Sequence, residues 1–215
     1  MRPEVLALLK ASAFAILVLA VALVALEDRV DLPTPYPTGS SPINPGAFGT
    51  TRFVELLKDY GMGVVYVSNW TYLEARAGAR SGILIVSPEE PYTDEEADAI
   101  ARFLRVSGGI LVVADETQVS NKVLERLGSK VRIRGVPLLD EFLDLYPRAT
   151  FSIGDREIAL RLDKASGLRN CEQPIGLAES YPPLGGPPER EPVGCLERIG
   201  NVTVLVLGDG SVLTN

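Results

Sequence analysis

Residues 5–26 read VLALLKASAFAILVLAVALVAL, with Lys10 as the only charge. A helix crossing about 30 Å of hydrocarbon needs roughly 20 mostly apolar residues. This run is long enough if Lys10 snorkels to the headgroups. It shows no polar face at any helical spacing, which argues against a helix lying on a globular core. Arg2 and Lys10 stand on its N-terminal side, and Glu27, Asp28 and Asp31 follow it. The positive-inside rule therefore puts the N-terminus in the cytoplasm and the rest of the chain outside. A cleaved signal peptide is the alternative, with Ala20, Ala22 and Ala25 as permissive small residues, but its apolar core is ordinarily about 7 to 15 residues long, and 11–26 exceeds that. The expectation is a transmembrane anchor at 1–26 in the cell membrane, with an extracytoplasmic C-terminal domain.

Beyond the anchor the chain is acidic and has no histidine. Of the net charge of −7, Arg2 and Lys10 against Glu4 account for +1, which leaves −8 on residues 27–215. Such a surface repels phosphate backbones, so nucleic acid is excluded as a partner. The two cysteines, Cys171 and Cys195, lie in one segment. An even count in an exported domain points to a disulfide, with two isolated buried thiols as the alternative.

Residues 27–45 are rich in Pro, Ser and Thr and lack periodicity, as a semi-rigid spacer would. The folded domain is expected at 46–215. Helices are predicted at 51–60, stopping at Gly61, from the Thr93 N-cap with a buried stripe running to Leu104, and at 119–127, stopping at Gly128. The second is the best marked, because Thr93 and Glu96 form a capping box ahead of Ala97, Ile100, Ala101 and Leu104. Strands are predicted at 64–67, 83–86, 110–114, 130–136 and 202–207, the third apolar enough to be buried on both faces. A hairpin over 150–162 turns at Gly154 and Asp155. Strands alternating with helices call for an α/β three-layer sandwich with a mainly parallel sheet. A Pro- and Gly-rich excursion at 164–200, carrying both cysteines, reads as an irregular surface loop.

The segments NPGAFGT (44–50), ILIVSP (83–88), SGGILVVAD (107–115) and VLVLGDGSVLTN (204–215) together resemble an uncharacterised, membrane-anchored prokaryotic family, domain of unknown function 4350. That family is similar to gliding-motility and transporter-auxiliary proteins with a class I glutamine amidotransferase-like fold. In an active amidotransferase the strand matching 110–113 would lead into a turn presenting a cysteine, served by a histidine and a carboxylate. Here Ala114, Asp115, Glu116 and Thr117 occupy that turn, and no histidine exists anywhere. The resemblance thus implies a retained fold without catalytic residues.

Ligands of open α/β sheets bind beyond the C-terminal ends of the strands. Asp115, Glu116 and Thr117 follow one strand, Ser87 and Glu89 another, and Asp209, Gly210 and Ser211 a third. If these ends converge, Asp115, Glu116 and Asp209 would suit a hard cation; the simpler reading is that they cap helices and solvate loop ends. Asn44, Gly46, Gly49 and Thr50 form a glycine-bearing loop opening a helix, which suits an anion. Its spacing is not that of a nucleotide-binding loop, and helix entry is the simpler account. No catalytic residue, resident metal or cofactor is assigned. The function expected is a membrane-tethered, non-catalytic binding or scaffolding module with a protein partner in the membrane, auxiliary to a transporter or envelope complex. The alternative is a carboxylate- or metal-dependent extracytoplasmic hydrolase using Asp115 and Asp209.

Overall fold

The strongest local signal in the sequence produces the best-formed helix. In the computed structural model, which describes residues 39–41, 44–67, 70, 73 and 81–214, Thr93 caps a helix over Asp94–Ser107. The Glu96 amide donates to the Thr93 hydroxyl at 3.2 Å, and the Thr93 amide donates to the Glu96 carboxylate at 2.9 Å. The reciprocal pair satisfies two amides that the first helical turn would otherwise leave unbonded. Gly108 ends the helix in the left-handed conformation. The expected anchor at 1–26 and most of the 27–45 spacer lie outside the described residues, and no described helix is long and apolar enough to cross a membrane.

In chain order the elements are α1 (Thr51–Asp59), β1 (Gly82–Val86), α2 (Asp94–Ser107), β2 (Ile110–Ala114), α3 (Asn121–Leu127), β3 (Arg132–Pro137), β4 (Arg148–Ile153), β5 (Arg156–Arg161), β6 (Ser166–Arg169), β7 (Pro174–Ser180), β8 (Glu189–Ile199) and β9 (Val202–Leu207), followed by a 3-10 turn at Gly210–Leu213. Seven strands form one sheet in the order β1-β2-β9-β8-β7-β4-β5, and β3 pairs with β6 in a separate two-stranded sheet.

The main sheet is mixed, which corrects the expectation of a mainly parallel one. Strands β1, β2 and β9 run parallel, and every other neighbour is antiparallel. Connection length explains the change of sense. The helix α2 joins β1 to β2, whereas β4 to β5 and β8 to β9 are joined by two-residue turns at Gly154 and Gly200, which only antiparallel neighbours can use. The predicted strand at 130–136 forms as β3 but stays outside the main sheet, because β9 takes the place beside β2. Residues 64–67 have no strand pairing.

Two apolar clusters hold the fold. One packs α2, α3 and the β3–β6 ribbon onto the parallel half through Ile100, Leu104, Val113, Leu124, Ile133 and Val206. The other gathers Leu138, Phe151, Leu162, Ala178, Val193 and Leu207. Val206 and Leu207 are successive residues of β9, so the clusters sit on opposite faces of the sheet. The second face is covered by strand and loop residues rather than by a further helical layer among the described residues, so the three-layer arrangement is not seen there. Strand β2 is buried along one face, at Leu111 and Val113, and on the other only towards its end: Ile110 is 53% exposed, Val112 half-buried and Ala114 buried.

The segment 164–200 is mostly strand, not irregular loop. Its two prolines in strands stand where the ladder tolerates a missing amide: Pro174 opens β7, and Pro192 adjoins a register shift in the β7–β8 pairing. Gly176 and Gly194 are required for packing, since a Cβ on either would lie 2.4 or 2.8 Å from the Phe151 ring. Cys171 and Cys195 form the expected disulfide, with Cα atoms 5.8 Å apart. Helix α1 ends in a Schellman motif, Met62 N–H to Leu57 O and Gly61 N–H to Lys58 O. Its predicted apolar face is largely open, with Leu56 and Tyr60 exposed and Val54 buried.

Candidate functional site

Parallel pairing of β1, β2 and β9 brings their C-terminal ends to one edge, as the sequence analysis requires. The ladder extends past the strands: the Ser87 amide donates to Ala114 O at 2.8 Å, and the Asp115 amide to Leu207 O at 3.0 Å. Asp115, Glu116, Thr117, Asp209 and Ser211 therefore share that edge with Ser87.

Asp115 is fully buried, and its carboxylate is occupied by its own loop. One oxygen accepts from the Thr117 amide and hydroxyl, both at 2.7 Å, and the other accepts from the Ser120 amide at 3.0 Å. Ser120 precedes α3, and its side chain makes no cap bond, so the Asp115 carboxylate shapes the entry to that helix. The Ser120 hydroxyl is buried without a partner.

Glu116 ties the three strand ends together. One of its oxygens accepts from the Ser87 hydroxyl at 3.1 Å and from the Gly210 amide at 3.2 Å. The approach is tight enough to demand glycine at 210, where a Cβ would fall 1.8 Å from the Ser87 hydroxyl oxygen. Asp209 is also buried; one of its oxygens accepts from the Ser211 amide at 2.7 Å and the other from the Asp163 amide at 2.8 Å. Burial pushes the Asp209 carboxyl above the ordinary carboxylate range, those hydrogen bonds oppose the rise, and the nearby Glu116 charge adds to it. Tyr92, whose backbone oxygen accepts from the Lys122 ammonium at 2.9 Å, is held far above the ordinary phenol range, first by burial and then by the Asp115 and Glu96 charges.

Among the described residues no group of three or more Cys, Asp or Glu side chains is placed to hold a metal ion. The acids meet at one edge, yet each faces amides and hydroxyls of the same edge. Sequence reasoning picked out these acids but missed Ser120 and Asp163. The bonds from Asp115 to Thr117 and from Asp209 to Ser211 have a local signal, an acid two residues before its donor, as in an Asx turn. No local signal announces the Asp163 amide.

The Asn44 loop is bonded in the same inward manner. The Asn44 side chain donates to Gly39 O at 2.8 Å and accepts from the Gly46 amide at 2.9 Å. The Gly49 amide donates to Gly46 O, and the Thr50 amide to Ser41 O. Thr50 is buried and precedes α1 without capping it through its side chain, its hydroxyl donating instead to Ser40 O at 3.1 Å. These bonds engage the amides of Gly46, Gly49 and Thr50 within the loop itself.

A groove of about 550 Å³ lies away from the strand ends, lined by Lys130, Arg132, Asn170, Cys171 and Glu172. Lys130 pairs there with Glu172 at 2.8 Å, and the Arg132 guanidinium donates to the backbone oxygens of Ser129 and Val131.

Comparison with known proteins gives a match to one family model, described as a domain of unknown function (DUF4350), over residues 42–215. No curated protein and no solved structure matches the chain.

Proposed function

Starting from the fact that the chain belongs to the DUF4350 family, we propose that it is a membrane-tethered, non-catalytic binding or scaffolding module whose folded domain works outside the cytoplasm. In this reading residues 1–26 are the anchor, and the domain is a degenerate relative of the class I glutamine amidotransferases. Its partner is an integral membrane protein of a transporter or envelope complex. The apolar run at 5–26 supports the tether, and the Cys171–Cys195 disulfide is in keeping with an oxidising compartment.

The observation that carries the reading is Asp115. It occupies the turn after β2 where the resemblance calls for a nucleophile, and both of its oxygens hold amides of its own loop. A carboxylate so engaged organises backbone, and no histidine is available to activate a neighbour. The hydrolase alternative has less support, because Asp209 is engaged in the same way.

The test is isolation of the full chain from native membranes in mild detergent. Stoichiometric recovery of an integral partner is expected, along with resistance to alkaline extraction. A chain that emerges alone in repeated preparations, or that turns over simple amides or esters in a manner abolished by Asp115→Ala, overturns the proposal.

A further inference from the structure

Among the described residues the strand β5 closes the main sheet at one end and pairs only with β4. The bond from the Leu162 amide to Pro147 O sets the phase of this pair. Residues 156, 158 and 160 bond inward to β4, so the amides and carbonyls of Glu157, Ala159 and Arg161 point outward along an edge that no described strand covers. The β4–β5 ladder has no bulge or register shift to twist this edge away, and β5 carries no proline or lysine.

The side chains alternate with the same phase. Ile158 and Leu160 lie on the face of Phe151 and Ala149, the second core cluster, and Ile158 is still 43% exposed. Glu157 and Arg161 lie on the other face. On that face Arg161 stands directly opposite Arg148, an unfavourable like-charge pair, and lies 5.0 Å above the Tyr146 ring. No carboxylate of the described residues pairs with either arginine.

We propose that β5 is a dimerisation edge, joining two copies of this chain by antiparallel β5–β5 pairing about a two-fold axis at Ala159. Only the outward residues 157, 159 and 161 can form the hydrogen-bonded pairs, which limits the registers to steps of two. Centring on Ala159 sets Glu157 of each copy opposite Arg161 of the other, so two ion pairs bring carboxylates to the unpaired arginines. The same register sets Ile158 against Leu160 and extends the second cluster across the axis. Slipping by two residues instead places Glu157 opposite Ala159 or Asp163. Charges on an edge strand ordinarily repel a second strand; here their order is self-complementary.

The experiment is sedimentation equilibrium of the full chain in detergent, with Glu157→Arg, Arg161→Glu and the double charge swap. Each single reversal turns two attractive cross-strand pairs into repulsive ones and is expected to weaken the dimer roughly tenfold or more, and the double swap to restore it. Ala159→Cys, at a paired position with about 5.5 Å between Cα atoms, is expected to give a covalent dimer on oxidation, whereas Leu184→Cys is not. A chain monomeric at tens of micromolar overturns the proposal. So does a dimer indifferent to the reversals, which would place self-association on another surface, or the absence of cross-linking through residue 159.

Discussion

Replacing Asp115 by alanine leaves the buried Ser120 amide and the partly buried Thr117 amide without their acceptor. Hydrogen bonds to a charged group contribute about 1.5–3 kcal/mol each, and an orphaned buried donor costs about 1–3 kcal/mol. Two such donors put the expected loss near 4 kcal/mol. For a domain of about 150–250 residues each kcal/mol moves Tm by about 2–4 °C, so the shift should be on the order of 10 °C. Asp115→Asn should lose about half as much. Its single carbonyl oxygen can keep the Thr117 bonds, but its amide nitrogen then faces the Ser120 N–H, donor against donor. Calorimetry or near-ultraviolet circular dichroism of the full chain in detergent measures both variants. A Tm for Asp115→Ala within about 2 °C of the parent would refute the structural role, because a fully buried carboxylate holding two amides cannot be removed without consequence.

Asp209 gives a pH signature. Because burial raises its folded pKa above the ordinary value of 3.8, the folded state holds that proton more tightly than the unfolded state. Its contribution is therefore most favourable below the unfolded pKa and is lost as pH rises through the folded one. The stability of the parent relative to Asp209→Asn should fall as pH rises above about 4, as read by denaturant midpoints; a difference flat in pH, or rising with it, would contradict the assignment. The disulfide closes a loop with a sequence separation of 24. The Cys171→Ala, Cys195→Ala double variant should lose about 3.5 kcal/mol in the chain-entropy model, and an unchanged denaturant midpoint would rule that out.

What the sequence disclosed was local. Thr93 and Glu96 are three residues apart, and the capping box they predict forms as expected. The hairpin turning at Gly154 and the strand ending at Leu207 were equally legible, since turn chemistry and an apolar run suffice for each. The sense of the sheet was not, because it depends on which strands become neighbours, and β8 reaches β9 through a tight turn that the pattern of apolar runs does not reveal. The run at 64–67 has strand composition but no strand partner among the described residues. In 164–200 proline and glycine misled for a physical reason: Pro174 and Pro192 fall at a strand start and beside a register shift, and Gly176 and Gly194 make room for Phe151.

The strand-end acids show the same division. Asp115 and Asp209 each bond a donor two residues on, a distance that sequence can read. Glu116 reaches Ser87, 29 residues away, and Gly210, 94 away, and nothing local announces either bond. Those distant bonds tie the three strand ends together through one Glu116 oxygen, beside the Asp115 and Asp209 oxygens that hold backbone amides. The β5 edge is the converse. Among the described residues its outward amides have no strand partner, and in the proposed dimer its charges meet their own copy, at the opposite end of the strand order from β1 and β2.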